Sequence, residues 1–257
     1  MKNIYRRRSF LCFYFCLLFV FCFSCSNNGG YNKTPIDKLI VEMSDIPDYS
    51  IILNDMDYRD GKYVHEYKIV EHKFKPIDTL FSRTTSFLEV SPEFFQKHEK
   101  NLGMEIVSKV NGKLSKVASP PGYNTYVGNS NYGHWVNNNG SSFWEFYGRY
   151  AMLNSMFHMM SYPVRRSYYD DFDDHRRRGR SYYGPANNGR HYYGTGSTYS
   201  RGRGNSSWEN KPKTFKDKVR TRVSRSVVSR KNSKRVNRSS SRYKSSSMRS
   251  RGGGFGK

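Results

Sequence analysis

The sequence predicts an α+β protein: a small domain of several antiparallel strands with one short helix, then one aromatic/Met-rich helix and a long disordered basic tail. Three features carry this expectation. Alternating apolar runs flank Asn111-Gly112, and this dipeptide is a strong hairpin signal because both turn residues must take positive φ. Ser91-Pro92-Glu93 starts a helix, with serine as the cap and proline in the first turn. Composition breaks near residue 160, beyond which aliphatic residues become scarce and Arg, Ser, Tyr and Gly accumulate.

The chain begins with a basic stretch, Lys2 and Arg6-Arg7-Arg8, followed by an unbroken apolar run from Phe10 to Phe21. A charged start, an apolar middle and a small residue before a cut are the marks of an export signal, assigned to residues 1–24. The run is shorter than the roughly 20 residues that cross a bilayer as a helix. The sequence Phe23-Ser24-Cys25-Ser26 resembles the lipobox of bacterial lipoproteins, in which a small residue precedes a cysteine that is acylated and becomes the new N-terminus. The resemblance implies cleavage between Ser24 and Cys25, lipidation of Cys25 by palmitate-type chains, and, through Ser26, delivery to an outer membrane of the bacterial envelope. An uncleaved anchor and an ordinary secreted precursor are the alternatives. Residues 25–34, beginning Cys25-Ser26-Asn27-Asn28-Gly29-Gly30, read as a flexible tether. All four cysteines lie in the first 25 residues, so thiol catalysis and cysteine-ligated zinc are excluded from the rest.

Residues 35–120 read as the small α+β domain. Leu39-Ile40-Val41 and Tyr49 to Leu53 are strand-like runs bounded by Asp, Pro and Asn, and Tyr63 to Lys75 alternates with Tyr67, Ile69 and Val70 on an apolar side. After Pro92, Phe94, Phe95 and His98 keep helical spacing until Leu102-Gly103 ends the helix. Residues 121–140 read as a loop. Ser141-Ser142 is expected to cap a helix over 141–160 whose polar strip is narrow and whose apolar arc is wide. Such a helix must bury its surface on the domain, on a partner or at a lipid interface. Phe143, Trp144, Tyr147, Tyr150 and Phe157 are its candidates for docking a protein partner, itself unknown.

Residues 161–257 are expected to be low-complexity: Arg-Ser-Tyr-Tyr units at 166 and 180 and an Arg-His-Tyr-Tyr at 190 recur too irregularly for a solenoid. The formal charge of +23 is unevenly spread, with +4 in residues 1–24, −1 in 25–160, +3 in 161–200 and +17 in 201–257. A near-neutral body thus carries a polycationic arm. Phe215, Val219, Val223 and Val227 recur every fourth residue, a pattern suited to a basic amphipathic helix on an anionic surface. The candidate contacts to anionic envelope polymer or membrane headgroups are Lys211, Lys213, Lys216, Lys218, Arg220, Arg222, Arg225, Arg230, Lys231, Lys234, Arg235 and Arg238, acting collectively. Arg201-Gly202-Arg203-Gly204 and Arg251-Gly252-Gly253-Gly254 resemble the RGG segments, and Ser239-Ser240-Ser241-Arg242 the arginine-serine segments, of RNA-binding proteins. That makes nucleic acid the alternative ligand, less favoured because an exported chain meets no cytosolic RNA but does meet lipid phosphates, lipopolysaccharide, anionic glycans and extracellular DNA.

No nucleophile elbow, P-loop, dinucleotide fingerprint or metalloprotease spacing occurs, so an enzyme is not expected. An envelope enzyme or enzyme regulator would need a pocket gathering Glu93, His98, His134 or Glu145. Asp55, Asp57, Asp60 and Glu66 approach the spacing of a calcium loop, but Arg59 takes a ligand position and Gly61 comes one residue late. Asp170, Asp171, Asp173, Asp174 and His175 are followed at once by Arg176-Arg177-Arg178, which neutralise them. Neither a metal nor a cofactor is expected.

Overall fold

The computed structural model describes residues 33–73, 79–204 and 206–240, with side chains as far as residue 232 except at 187. Ser24, Cys25 and the tether up to residue 32 lie outside this range, as do residues 241–257. Helices and antiparallel sheet are both well represented, which is the α+β class read from the sequence.

The described chain opens with helix α1 (Pro35–Glu42). Thr34 accepts the Asp37 N–H on its hydroxyl, and the Asp37 carboxylate takes the Thr34 N–H in return, with Pro35 in the first turn. This reciprocal cap overrides the strand-like look of Leu39-Ile40-Val41, which is helical here and buries Ile36 and Leu39. Strands β1 (Asp48–Arg59) and β2 (Lys62–Lys73) follow, joined by Asp60-Gly61 at φ +50° and +79°. Their side chains alternate: Ile51 and Ile69 go into one apolar cluster, Ile52 and Val70 into another. The sheet is therefore covered on both faces.

Strand β3 (Thr79–Thr84) and the short β4 (Leu88–Val90) pair with β2, while β5 (Glu105–Val110) pairs with β1 and β6 (Lys113–Ser115) closes the hairpin at Asn111-Gly112. The order is β3-β2-β1-β5-β6, antiparallel throughout. Helix α2 (Pro92–His98) starts where the sequence places it, with the Ser91 hydroxyl accepting the Phe94 N–H, and buries Phe95 against the first cluster.

Residues 141–160 differ from the expected helix. Gly133–Asn138 and Ser141–Phe146 form strands β7 and β8 around Asn139-Gly140, whose φ values of +46° and +78° suit a two-residue hairpin turn. Trp144 and Phe146 point inward while Glu145 points out, a period of two that a short aromatic run conceals. A 3₁₀ turn (Gly148–Tyr150) and a one-turn helix α3 (Met152–Met156) complete the segment.

The largest departure lies in residues 161–232, which complete the fold where a disordered tail is expected. Helix α4 (Arg166–Arg177) buries Phe172; strands β9 (Ala186–Asn187) and β10 (Arg190–His191) turn at Asn188-Gly189; helices α5 (Thr198–Gly202), α6 (Ser207–Asn210) and α7 (Lys213–Ser240) follow. Aromatic rings replace the missing aliphatic side chains. Tyr182, Tyr193 and Tyr199 are buried and Trp208 fully so, and Tyr123, Tyr193 and Tyr199 pack ring to ring at 4.9 to 6.0 Å. Among the described residues no helix is long and apolar enough to cross a membrane.

Candidate functional site: a cationic face on the folded-back C-terminal helix

The acidic strand end that resembles a calcium loop receives the chain's own C-terminal segment. Asp55 is buried, and its carboxylate accepts the Ser206 hydroxyl at 2.7 Å and the N–H groups of Ser207 and Trp208 at 2.6 and 3.2 Å. These are the cap and first turn of α6. Trp208 then packs edge-on against Phe95 at 5.6 Å. Beside it, Asp57 is held by Arg59 at 2.8 Å and by Lys211 at 3.5 Å, and Arg203 donates to the Asn54 carbonyl and side-chain oxygens at 2.6 and 2.8 Å. Among the described residues no group of acidic and histidine side chains is arranged to hold a metal ion.

This latch delivers α7 to the domain. Val219, Val223 and Val227 are buried in the first apolar cluster and Phe215 packs against it. The stripe singled out in the sequence is therefore a helix face, and it covers the protein's own α2 and sheet. Polar contacts line its edges: Arg220 to Glu99, Arg230 to Glu93 at 3.3 Å, Arg222 to the Tyr58 hydroxyl at 2.6 Å, and Lys216 to Glu209 at 3.8 Å.

The twelve basic residues proposed from sequence divide accordingly. Lys211, Lys216, Arg220, Arg222 and Arg230 are engaged within the chain. Lys213, Lys218, Arg225 and Lys231 are exposed and without a partner among the described residues. The side chains of Lys234, Arg235 and Arg238 lie outside the described range. A helix turns about 100° per residue, which places Lys213 and Lys231 at one angle and Lys218 and Arg225 roughly 120–140° round, on the arc the valines leave open. The four cations span about 27 Å of helix axis.

The five aromatic residues proposed to dock a partner do not form one surface. Trp144, Tyr150 and Phe157 are buried in the second cluster, because the segment is a strand and turns whose rings face the sheet. Phe143 is half-buried beneath the Arg165 guanidinium, and Tyr147 is exposed, stacked on His134 at 5.4 Å. Glu93, His98, His134 and Glu145 lie on two separate elements, α2 and the β7–β8 hairpin. His98 is enclosed beside Asn101 at 3.1 Å, and burial pushes its pKa down to about 4.

Two buried polar groups escaped the sequence reading, since nothing local marks them. The Glu105 carboxylate is fully enclosed and accepts Ser50 Oγ at 2.6 Å, the Gly122 N–H at 3.0 Å and Ser119 Oγ at 3.3 Å. Burial pushes its pKa up to about 7. His72 Nδ1 meets the Tyr132 hydroxyl at 2.6 Å, and that hydroxyl reaches Asp48 at 3.3 Å. All four are closed to solvent, so these links tie the 119–132 turns to the sheet.

No protein-family model matches the chain, and neither a curated protein nor a solved structure is recognisably similar to it.

Proposed function

We propose that this is a non-catalytic, lipid-anchored envelope protein, tethered through Cys25, whose cationic helix α7 grips anionic envelope polymer or lipid headgroups. One observation carries the reading. The apolar face of α7 is spent on the protein's own core, so the helix works as a fixed rod presenting Lys213, Lys218, Arg225 and Lys231 outward. A basic amphipathic helix with a free apolar side would insert into a bilayer; this one has its valine stripe buried and presents mainly charge, with Val228 exposed among the cations. Its contact is electrostatic, screened by salt and spread over several residues. Protein docking, in this reading, falls to the exposed parts of the β7–β8 hairpin around Tyr147 and Phe143.

The test is the fourfold exchange Lys213→Gln, Lys218→Gln, Arg225→Gln and Lys231→Gln in the full chain. Each Lys or Arg near an anionic leaflet contributes about 1 kcal/mol. Affinity for phosphatidylglycerol vesicles at low salt should therefore fall by roughly three orders of magnitude. A loss of less than tenfold refutes the helix as the contact, and an intact mass lacking acyl chains on Cys25 refutes the anchor.

A further inference from the structure

We infer that a cleft beside α7 binds an acidic saccharide, one or a few sugar rings carrying carboxylates, and that such a glycan is the anionic polymer of the proposed function, on which this inference rests. The cleft has a volume of about 680 Å³, inside the ~300–1,000 Å³ span of small-molecule sites. Its walls come from the chain just after α2, from the β9–β10 hairpin, from the 193–197 turn and from Arg220 of α7. It exists because the C-terminal half folds back on the domain.

Charge selects an anion. Glu99 is the acidic residue of the lining, and Arg220 neutralises it. Lys100 and Arg190 stand exposed on two different elements, with no partner among the described residues. Shape and chemistry select a sugar. Tyr183 presents a half-buried ring whose hydroxyl is fixed by Asn101 at 2.8 Å, and the exposed His191 ring lies 5.6 Å from it. A rigid aromatic face beside polar groups suits a ring with one apolar C–H side and hydroxyls at its edge. A single phosphate would leave most of the volume empty, and two cations on separate walls suit charges spaced along an oligosaccharide. Arg220 belongs to both the cleft and α7, so a polymer leaving the cleft runs onto the cationic face.

Trigalacturonate titrated into the full chain by calorimetry tests this, with maltotriose as the uncharged control. We expect saturable trigalacturonate binding, none of maltotriose, and a loss of at least tenfold in the double variant Lys100→Gln/Arg190→Gln. Both positions are exposed, so the variant keeps its fold. The fourfold α7 variant should retain trigalacturonate while losing vesicles, which separates failure of the cleft from failure of the helix. Absent trigalacturonate binding, equal binding of maltotriose, an unaffected double variant, or displacement by equimolar inorganic phosphate or oligothymidylate would overturn the inference.

Discussion

Asp55 is the residue on which attachment of the C-terminal segment turns. Replacing it with alanine removes the acceptor for the Ser206 hydroxyl and for the Ser207 and Trp208 N–H groups, which lie 2.6 to 3.2 Å from its oxygens. Trp208 and Ser206 are buried, so water reaches these donors poorly. Each unmet buried donor costs about 1–3 kcal/mol. Partial access at Ser207 reduces the sum, and we expect segment 206–232 to open more easily by about 3–5 kcal/mol. At about 1.4 kcal/mol per decade, the open population rises by roughly two to nearly four decades. The basic side chains of α7 make the segment a trypsin substrate once it opens, so cleavage under native conditions reports the effect directly. Asp55→Asn keeps one acceptor oxygen and should show an intermediate rate. Equal digestion rates for wild type and Asp55→Ala would show that Asp55 is not the latch.

Glu105 is held above its ordinary pKa of 4.5, at about 7, so the folded state binds the extra proton and this group's stabilisation declines as pH rises from 4.5 to 7. His65 and His98, driven down to about 3 and about 4 by burial, act with the opposite sign and lower stability as pH falls below 6.5. The difference between wild type and Glu105→Gln isolates the carboxylate. By denaturant melts at several pH values, the variant should gain on wild type between pH 4.5 and 7 by about 3 kcal/mol; a constant difference contradicts the assignment. Val223→Ala should cost about 2 kcal/mol while Lys218→Gln stays within about 0.5, because one side chain is buried and the other exposed; equal midpoints in urea would argue against docking of α7. A Cβ at Gly133 would sit 2.1 Å from the Glu145 carbonyl oxygen, whereas one at Gly148 meets nothing within 4 Å. Gly133→Ala should therefore lower the melting temperature by about 6–12 °C, from about 3 kcal/mol of overpacking, with Gly148→Ala close to wild type.

What could be read from the sequence was local. Ser91-Pro92 and Asn111-Gly112 act through neighbours a few residues away, and both elements stand where the sequence places them. Asp60-Gly61, Asn139-Gly140 and Asn188-Gly189 carry the same two-residue positive-φ turn. Reading Asn139-Gly140 as a hairpin would have turned the aromatic run after it into a strand. At residues 39–41 the cap Thr34-Pro35-Ile36-Asp37 outweighs the β-branched look of the run. The tail was illegible for a different reason. Valines every fourth residue specify a helix only when a matching apolar surface waits for them, and that surface is assembled from Ile36, Phe95 and Leu102, more than 100 residues earlier. The carboxylate that anchors the tail lies 153 residues before Trp208, a pairing no local pattern carries.

That distance also sets a timetable. As the polypeptide emerges from the ribosome, β1 and β2 can zip together early, yet the apolar cluster that α1 and α2 begin stays partly uncovered until Trp208 and the valines of α7 arrive. The cluster cannot close until the chain has been made past Val227, and topologies that wait on so remote a contact close slowly. Until then the uncovered apolar side chains are free to meet those of other unfinished molecules, so crowding of nascent chains would invite clumping.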